Sequence, residues 1–210
     1  MIKAIIFDFD GVIVDTELDR FIFLKKELNK YGYKLNKSDF DKIIGRKTID
    51  ALKDIFPKIP KIVIEKIYQK RKEILNKQIL NMKPISGLLQ FLKSIHQRYV
   101  LALSTGTKKD IAHAYLKKYD LRKYFDVIIT GENFENSKPD PEGFRITLEK
   151  LNFDSSEVTI IEDSEPGITA AKRLHCKVFG LKNKHNSFHV KKADMIFNTY
   201  YELMNYLKKK

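Results

Sequence analysis

Cysteine is nearly absent from this chain: Cys176 is the only one. No intrachain disulfide and no cysteine-based zinc site can form, and Cys176 is expected to fill core space rather than react. No apolar stretch approaches the ~20 residues that a membrane-crossing helix needs, so no span is expected. The first residues run straight into an acid-bearing strand pattern, unlike a signal peptide. A soluble, cytoplasmic protein is the resulting expectation. Internal repeats and low-complexity linkers are also missing.

Charge is plentiful but not concentrated. The formal net charge is +13, from 40 Lys and Arg against 27 Asp and Glu. Three readings compete: a lysine-rich solvated surface, a field that attracts small anionic substrates, and nucleic-acid binding. The basic residues are scattered, as at Lys25–Lys26, Lys70–Arg71–Lys72 and Lys117–Lys118, and Lys208–Lys209–Lys210 reads as a frayed helix end. They form no stripe interleaved with exposed aromatics, so the nucleic-acid reading has little support. A chain of 210 residues with 43% hydrophobic content builds one main domain, and its length leaves room for an insertion.

Short apolar, β-branched runs recur. Lys3–Phe7 ends at Asp8, Tyr99–Leu103 ends at Ser104, and Val158–Ile161 ends at Glu162 and Asp163. Val127–Thr130, Lys177–Leu181 and Asp194–Phe197 are further strand candidates. Helical periodicity alternates with these runs, as in Leu88, Phe91, Leu92 and Ile95. That alternation predicts an α/β fold, a Rossmann-like parallel sheet covered on both faces. The rhythm breaks between about Glu17 and Met82. That stretch holds no good strand and four helical segments: Leu18–Tyr31, Lys37–Ile44, Thr48–Ile55 and Lys61–Leu80. It reads as a small helical cap, residues 16–83, inserted after the first strand into a core made of 1–15 and 84–210.

Three strands end in polar residues: Asp8 with Asp10, Ser104 with Thr105, and Glu162 with Asp163. In a parallel α/β sheet the carboxyl ends of the strands open onto one crevice, so these residues are expected to converge. Buried unpaired carboxylates are costly, and the cluster implies a cation. Oxygen ligands suit Mg2+, which keeps waters and substrate phosphate in its shell. Asp8 and Asp163 are the first-choice side-chain ligands, with Glu162 binding directly or through water.

These residues resemble the four motifs of the haloacid dehalogenase superfamily. Asp8-Phe9-Asp10-Gly11-Val12 with Asp15-Thr16 is similar to the first motif, and Ser104-Thr105-Gly106 to the second. Lys138-Pro139-Asp140-Pro141 is similar to the third, and Glu162-Asp163-Ser164 with Gly167-Ile168 to the fourth. The inserted cap resembles that of the subgroup containing β-phosphoglucomutase and phosphoglycolate phosphatase. The resemblance implies an aspartyl-phosphate on Asp8, with Asp10 as general acid and then base. It implies a metal ligand in the backbone carbonyl of Asp10. Ser104 would bind a phosphoryl oxygen, helped by backbone N–H groups near Thr105 and Gly106 at a helix start. Lys138 would neutralise charge on Asp8 and the phosphoryl group. Asp140 with Pro141 reads as a helix N-cap and N1 pair.

In the cap, Gly45-Arg46-Lys47 resembles the family's specificity loop. Arg46 and Lys47 then bind the substrate, or form only a solvated basic loop. Lys72 resembles a cap lysine of the mutases, or lies on a solvated helix face. Arg20 stands where those mutases carry a histidine. His175 stands where relatives often have glycine. The five histidines are expected away from the crevice, and Asp15 is read as a hinge or helix-start residue. The expected function is hydrolysis of a small phosphorylated metabolite by a monomer. The alternatives are a phosphomutase of the β-phosphoglucomutase type, a dehalogenase, and a non-catalytic module of this fold.

Overall fold

The computed structural model describes residues 1–43, 48–183 and 186–209. Strand β1 is Ala4–Phe7, β2 Val100–Ser104, β3 Val127–Ile129, β4 Val158–Glu162, β5 Lys177–Leu181 and β6 Met195–Phe197. They form one parallel sheet in the order β3-β2-β1-β4-β5-β6. The chain therefore winds outward from β1 to one side, returns, and winds out to the other. That reversal makes the carboxyl end of β1 the topological switch point, where open α/β sheets hold their ligands.

Side chains of successive strand residues enter opposite layers. Ile5, Phe7, Leu101 and Leu103 pack into one apolar cluster, with Leu88, Phe91, Leu92 and Ile95 of α5 (Leu88–Ile95). The same cluster takes in α6 (Lys109–Lys118) and α9 (Tyr200–Lys208). Ala4, Ile6, Ala102 and Ile160 pack into the other, against α7 (Glu142–Leu151) and α8 (Glu165–Arg173). Both faces are covered, so the strands are apolar along their length rather than alternating with polar residues.

Between β1 and α5 lie α1 (Glu17–Asn29), α2 (Phe40–Ile43), α3 (Thr48–Ile55) and α4 (Lys61–Gln78). Phe21, Leu24, Leu28, Leu52, Ile64 and Ile67 form a third apolar cluster that belongs to this insertion alone. The two crossings that carry it are tied together. Val14 makes an antiparallel bridge to Pro84, and the Ile85 N–H donates to the Ile13 carbonyl at 2.9 Å. Tyr200 holds this neck from below, its hydroxyl donating to the Val12 carbonyl at 2.7 Å.

The strands fall within a residue or so of their expected bounds, and two helices differ. The segment expected as one helix from Lys37 begins instead as a 3₁₀ turn, Lys37–Asp39, that runs into α2. A capping box sits at its start, where buried Asp39 accepts from the Asn36 N–H at 2.9 Å. The long helix from Lys61 ends at Gln78, where Ile79–Asn81 tightens to 3₁₀. His175 adopts the left-handed conformation, φ 59°. The turn after α8 thus keeps a geometry that glycine would adopt at less cost, about 1–2 kcal/mol for a side-chain-bearing residue.

Candidate active site

Asp8 follows β1 directly and is 7% exposed. Ser104 closes β2, and Glu162 closes β4, followed by Asp163. All three are buried, Glu162 completely. The sheet brings together what the strand ends predicted. A cavity of about 410 Å³ opens above them, lined among others by Asp8, Asp10, Ser104, Lys138 and Asp163. Thr105 and Gly106 line it too, as does Arg20, which reaches in from α1.

Lys138 arrives on the loop between β3 and α7. Its ammonium donates to Asp8 Oδ1 at 2.7 Å and to Glu162 Oε1 at 2.5 Å, and sits 4.7 Å from the centre of the Phe144 ring. The other oxygen of Glu162 accepts from the Asp163 N–H, the Ser164 N–H and the Ser164 hydroxyl, at 2.8, 2.9 and 2.9 Å. Glu162 is thus fixed at both ends and holds Lys138 against Asp8. Burial works against the charge on Lys138, but Asp8 and Glu162 outweigh it and raise its pKa. Burial raises the Asp8 carboxyl to about 7; Glu162 and Asp10 push the same way, and Lys138 opposes them.

Carboxylate oxygens of Asp8, Glu162 and Asp163 lie within 4.8 Å of one another. Lys138 pairs with two of these acids, Asp8 and Glu162, and the clustered oxygens of all three suit a hard divalent ion. The backbone is shaped around these acids. At Gly11, φ 78°, an added Cβ would lie 2.0 Å from Asp163 Oδ2, and at Gly167 it would lie 1.7 Å from Glu162 Oε1. Only glycine fits either position. Fully buried Asn186, on the loop after β5, donates to the Asp163 carbonyl at 3.0 Å and to the Leu181 carbonyl at 2.9 Å.

Both oxygens of Asp10 are engaged by hydroxyl groups. Thr16 Oγ1 donates to Oδ1 at 2.7 Å and Thr107 Oγ1 to Oδ2 at 3.1 Å. Thr16 occupies the N-cap of α1 but makes no side-chain cap bond there. Its hydroxyl serves Asp10 instead. Thr107 and Asn186 stand outside the motif residues, and no spacing in the sequence marks them.

Two expectations around Ser104 need correction. The Thr105 N–H is already committed, donating to the Ile129 carbonyl at 3.0 Å as the sheet continues, so it is not a phosphate donor. Its hydroxyl accepts from the Thr107 N–H at 3.0 Å. Nor is Gly106 at a helix start: α6 begins at Lys109. A third correction is one residue wide. Helix α7 begins at Glu142 with Pro141 at the N-cap, yet Asp140 Oδ1 still accepts from the Glu142 N–H at 2.9 Å.

Arg46, Lys47 and His185 lie outside the described residues, as does the side chain of Lys72. Among the described residues no histidine lines the cavity. Asp15 is exposed and precedes α1, in keeping with a helix-start position.

The family model for haloacid dehalogenase-like hydrolases matches residues 5–181. A phosphorylated carbohydrates phosphatase from Thermotoga maritima is 32% identical over 194 residues, 88% of this chain and 87% of that protein. A fructose-1-phosphate phosphatase from Escherichia coli is 26% identical, over 80% of this chain and 90% of its own. Among solved structures, a β-phosphoglucomutase from Clostridium difficile superposes with a TM-score of 0.79 at 23% identity, covering 100% of this chain and 96% of that one.

Proposed function

The chain belongs to the haloacid dehalogenase-like hydrolase family, and from that premise we propose that it is a Mg2+-dependent phosphatase. Its substrate is a small phosphorylated metabolite of the sugar phosphate or phosphoglycolate type. One observation carries the reading: Asp8 is buried at the switch point of the sheet, with Lys138 2.7 Å from one oxygen. An acid this buried is poised as a nucleophile rather than as a surface charge.

In this reading Asp8 attacks phosphorus, an O–P bond forms to its carboxylate, and the ester O–P bond breaks. Asp10 gives its proton to the departing alkoxide. It then takes a proton from the water that attacks the aspartyl-phosphate, which releases phosphate and restores Asp8. Ser104 hydrogen-bonds a phosphoryl oxygen, and Lys138 offsets the charge that gathers between that group and Asp8. Mg2+, when bound, would be held by Asp8, Asp163 and the backbone carbonyl of Asp10, and would neutralise phosphoryl charge. Glu162 stands one step back, since both of its oxygens already hold donors. We take residues 16–83 as the cap that covers the site; Arg20 lines the cavity from it, and Arg46 and Lys47 are proposed to bind the substrate.

The similar phosphatases from Thermotoga maritima and Escherichia coli support hydrolysis over transfer to a second hydroxyl. So does Arg20, in the place of the mutase histidine. The test is phosphate release across a panel of sugar, glycolyl and nucleotide phosphates, with Mg2+ and then with EDTA. Conversion of a hexose 1-phosphate to the 6-phosphate would instead mark a mutase. Asp8→Asn abolishes turnover, and Asp10→Asn slows it by ~10²–10⁴-fold. An Asp8→Asn enzyme working at the wild-type rate would sink the mechanism.

A further inference from the structure

We propose that Thr107 is a positioning residue for Asp10, and that its hydroxyl sets the rate at which poor leaving groups depart. The inference rests on the acid/base reading of Asp10 given above. A carboxylate held through one oxygen still turns about that contact. Held through both oxygens, by donors on separate segments, it has its plane fixed. Asp10 is held in the second way, by Thr16 at 2.7 Å and Thr107 at 3.1 Å. Thr16 begins the insertion, whereas Thr107 stays with the sheet.

The sheet side is tied by further hydrogen bonds. Thr107 donates its N–H to Thr105 Oγ1 at 3.0 Å and accepts at its carbonyl from the Gly131 N–H at 3.0 Å. Thr105 is buried, and its own N–H bonds the Ile129 carbonyl at the end of β3. A hydrogen-bonded path thus runs from β3 through Thr105 and Thr107 to Asp10. Of Thr107, only backbone atoms take part in closing this loop. The side-chain hydroxyl adds nothing to that closure, and it points at the carboxylate. Proton transfer needs the acid within hydrogen-bond reach of the leaving oxygen, so fixing the carboxylate plane bears on that step directly.

Leaving-group chemistry separates this role from a structural one. An alkoxide needs a proton as it leaves, whereas 4-nitrophenolate leaves without one. The parameter to compare is kcat/KM, which reports transition-state stabilisation relative to free enzyme and substrate. Thr107→Val removes the donor at nearly constant volume. We expect it to lower kcat/KM about tenfold on a sugar phosphate but about threefold or less on 4-nitrophenyl phosphate. Thr107→Ser should restore the sugar phosphate rate. Asp10→Asn is measured beside it and should show the same selectivity, more strongly. Equal losses on both substrates for Thr107→Val, or no loss on the sugar phosphate, would overturn the inference while leaving the acid/base reading intact. If Asp10→Asn itself loses both substrates equally, the acid/base reading fails and the inference falls with it.

Discussion

Replacing Lys138 by Met removes the ammonium that buried Asp8 and Glu162 share, while keeping most of its bulk. At 2.7 Å from Asp8 Oδ1 and 2.5 Å from Glu162 Oε1, each contact is worth about 6 kcal/mol gross at an effective dielectric of 20. Desolvation of the charged groups cancels most of that. Breaking a buried pair from one side costs about 3–5 kcal/mol net. Asp8 limits the loss, because its carboxyl already sits at about 7 with Lys138 present and takes up a proton once the ammonium is gone. Oε1 of completely buried Glu162 then loses its donor. A net loss of about 3 kcal/mol is therefore expected in EDTA at neutral pH. Urea unfolding followed by circular dichroism measures it. Adding Mg2+ must displace that proton from Asp8, so the ion should stabilise the variant no more than it stabilises the wild type. A loss below about 1 kcal/mol in EDTA, or a larger gain from Mg2+ in the variant than in the wild type, would refute the reasoning.

Two other expectations concern the backbone and the insertion. Gly11→Ala puts a methyl group 2.0 Å from Asp163 Oδ2 at a φ of 78°. Asp163 must move, so calorimetric titration should show weakened Mg2+ binding in a protein that still folds; wild-type affinity would contradict the assigned ligand. Glu27, buried in α1, pairs with Lys30 at 2.7 Å and with Lys70 of α4 at 2.8 Å. Burial pushes its carboxyl up, but the hydrogen bonds and charges of the two lysines outweigh it and hold the pKa below the ordinary 4.5. The sign follows from linkage: a depressed folded pKa adds stability above the unfolded value, and this is lost as pH falls through the folded one. The gap in urea midpoint between wild type and Glu27→Gln should thus shrink as pH falls from 5 towards 3. A gap that stays constant over that range would show that the lysines are not responsible.

The sheet and its acids were legible because their signals are local. An apolar β-branched run reads as a strand wherever it pairs, and the residue after it must lie at the strand's carboxyl end. Asp8, Ser104, Glu162 and Asp163 follow from that alone. Thr16 and Thr107 did not, because a hydroxyl's partner depends on the path of a loop, and no spacing encodes that path. Lys138 was assigned its contact with Asp8, but its anchor in Glu162 required the three donors that immobilise the far oxygen. The Thr105 amide differs from expectation for the same kind of reason. Strand pairing continues one residue beyond Ser104, into β3, and a single strand's sequence does not say how far its neighbour extends.

The doubled neck beneath the helical insertion has a mechanical meaning. A body on one chain crossing swings through a cone. One on two crossings that are bonded to each other, as Val14 is to Pro84 and Ile85 to Ile13, has in effect a single spindle. Asp10 bridges to Val14 at the base of that spindle. A point at the base of a spindle turns but does not travel, so a rotation of the helices about it would leave Asp10, the proposed acid/base, beside the switch point of the sheet.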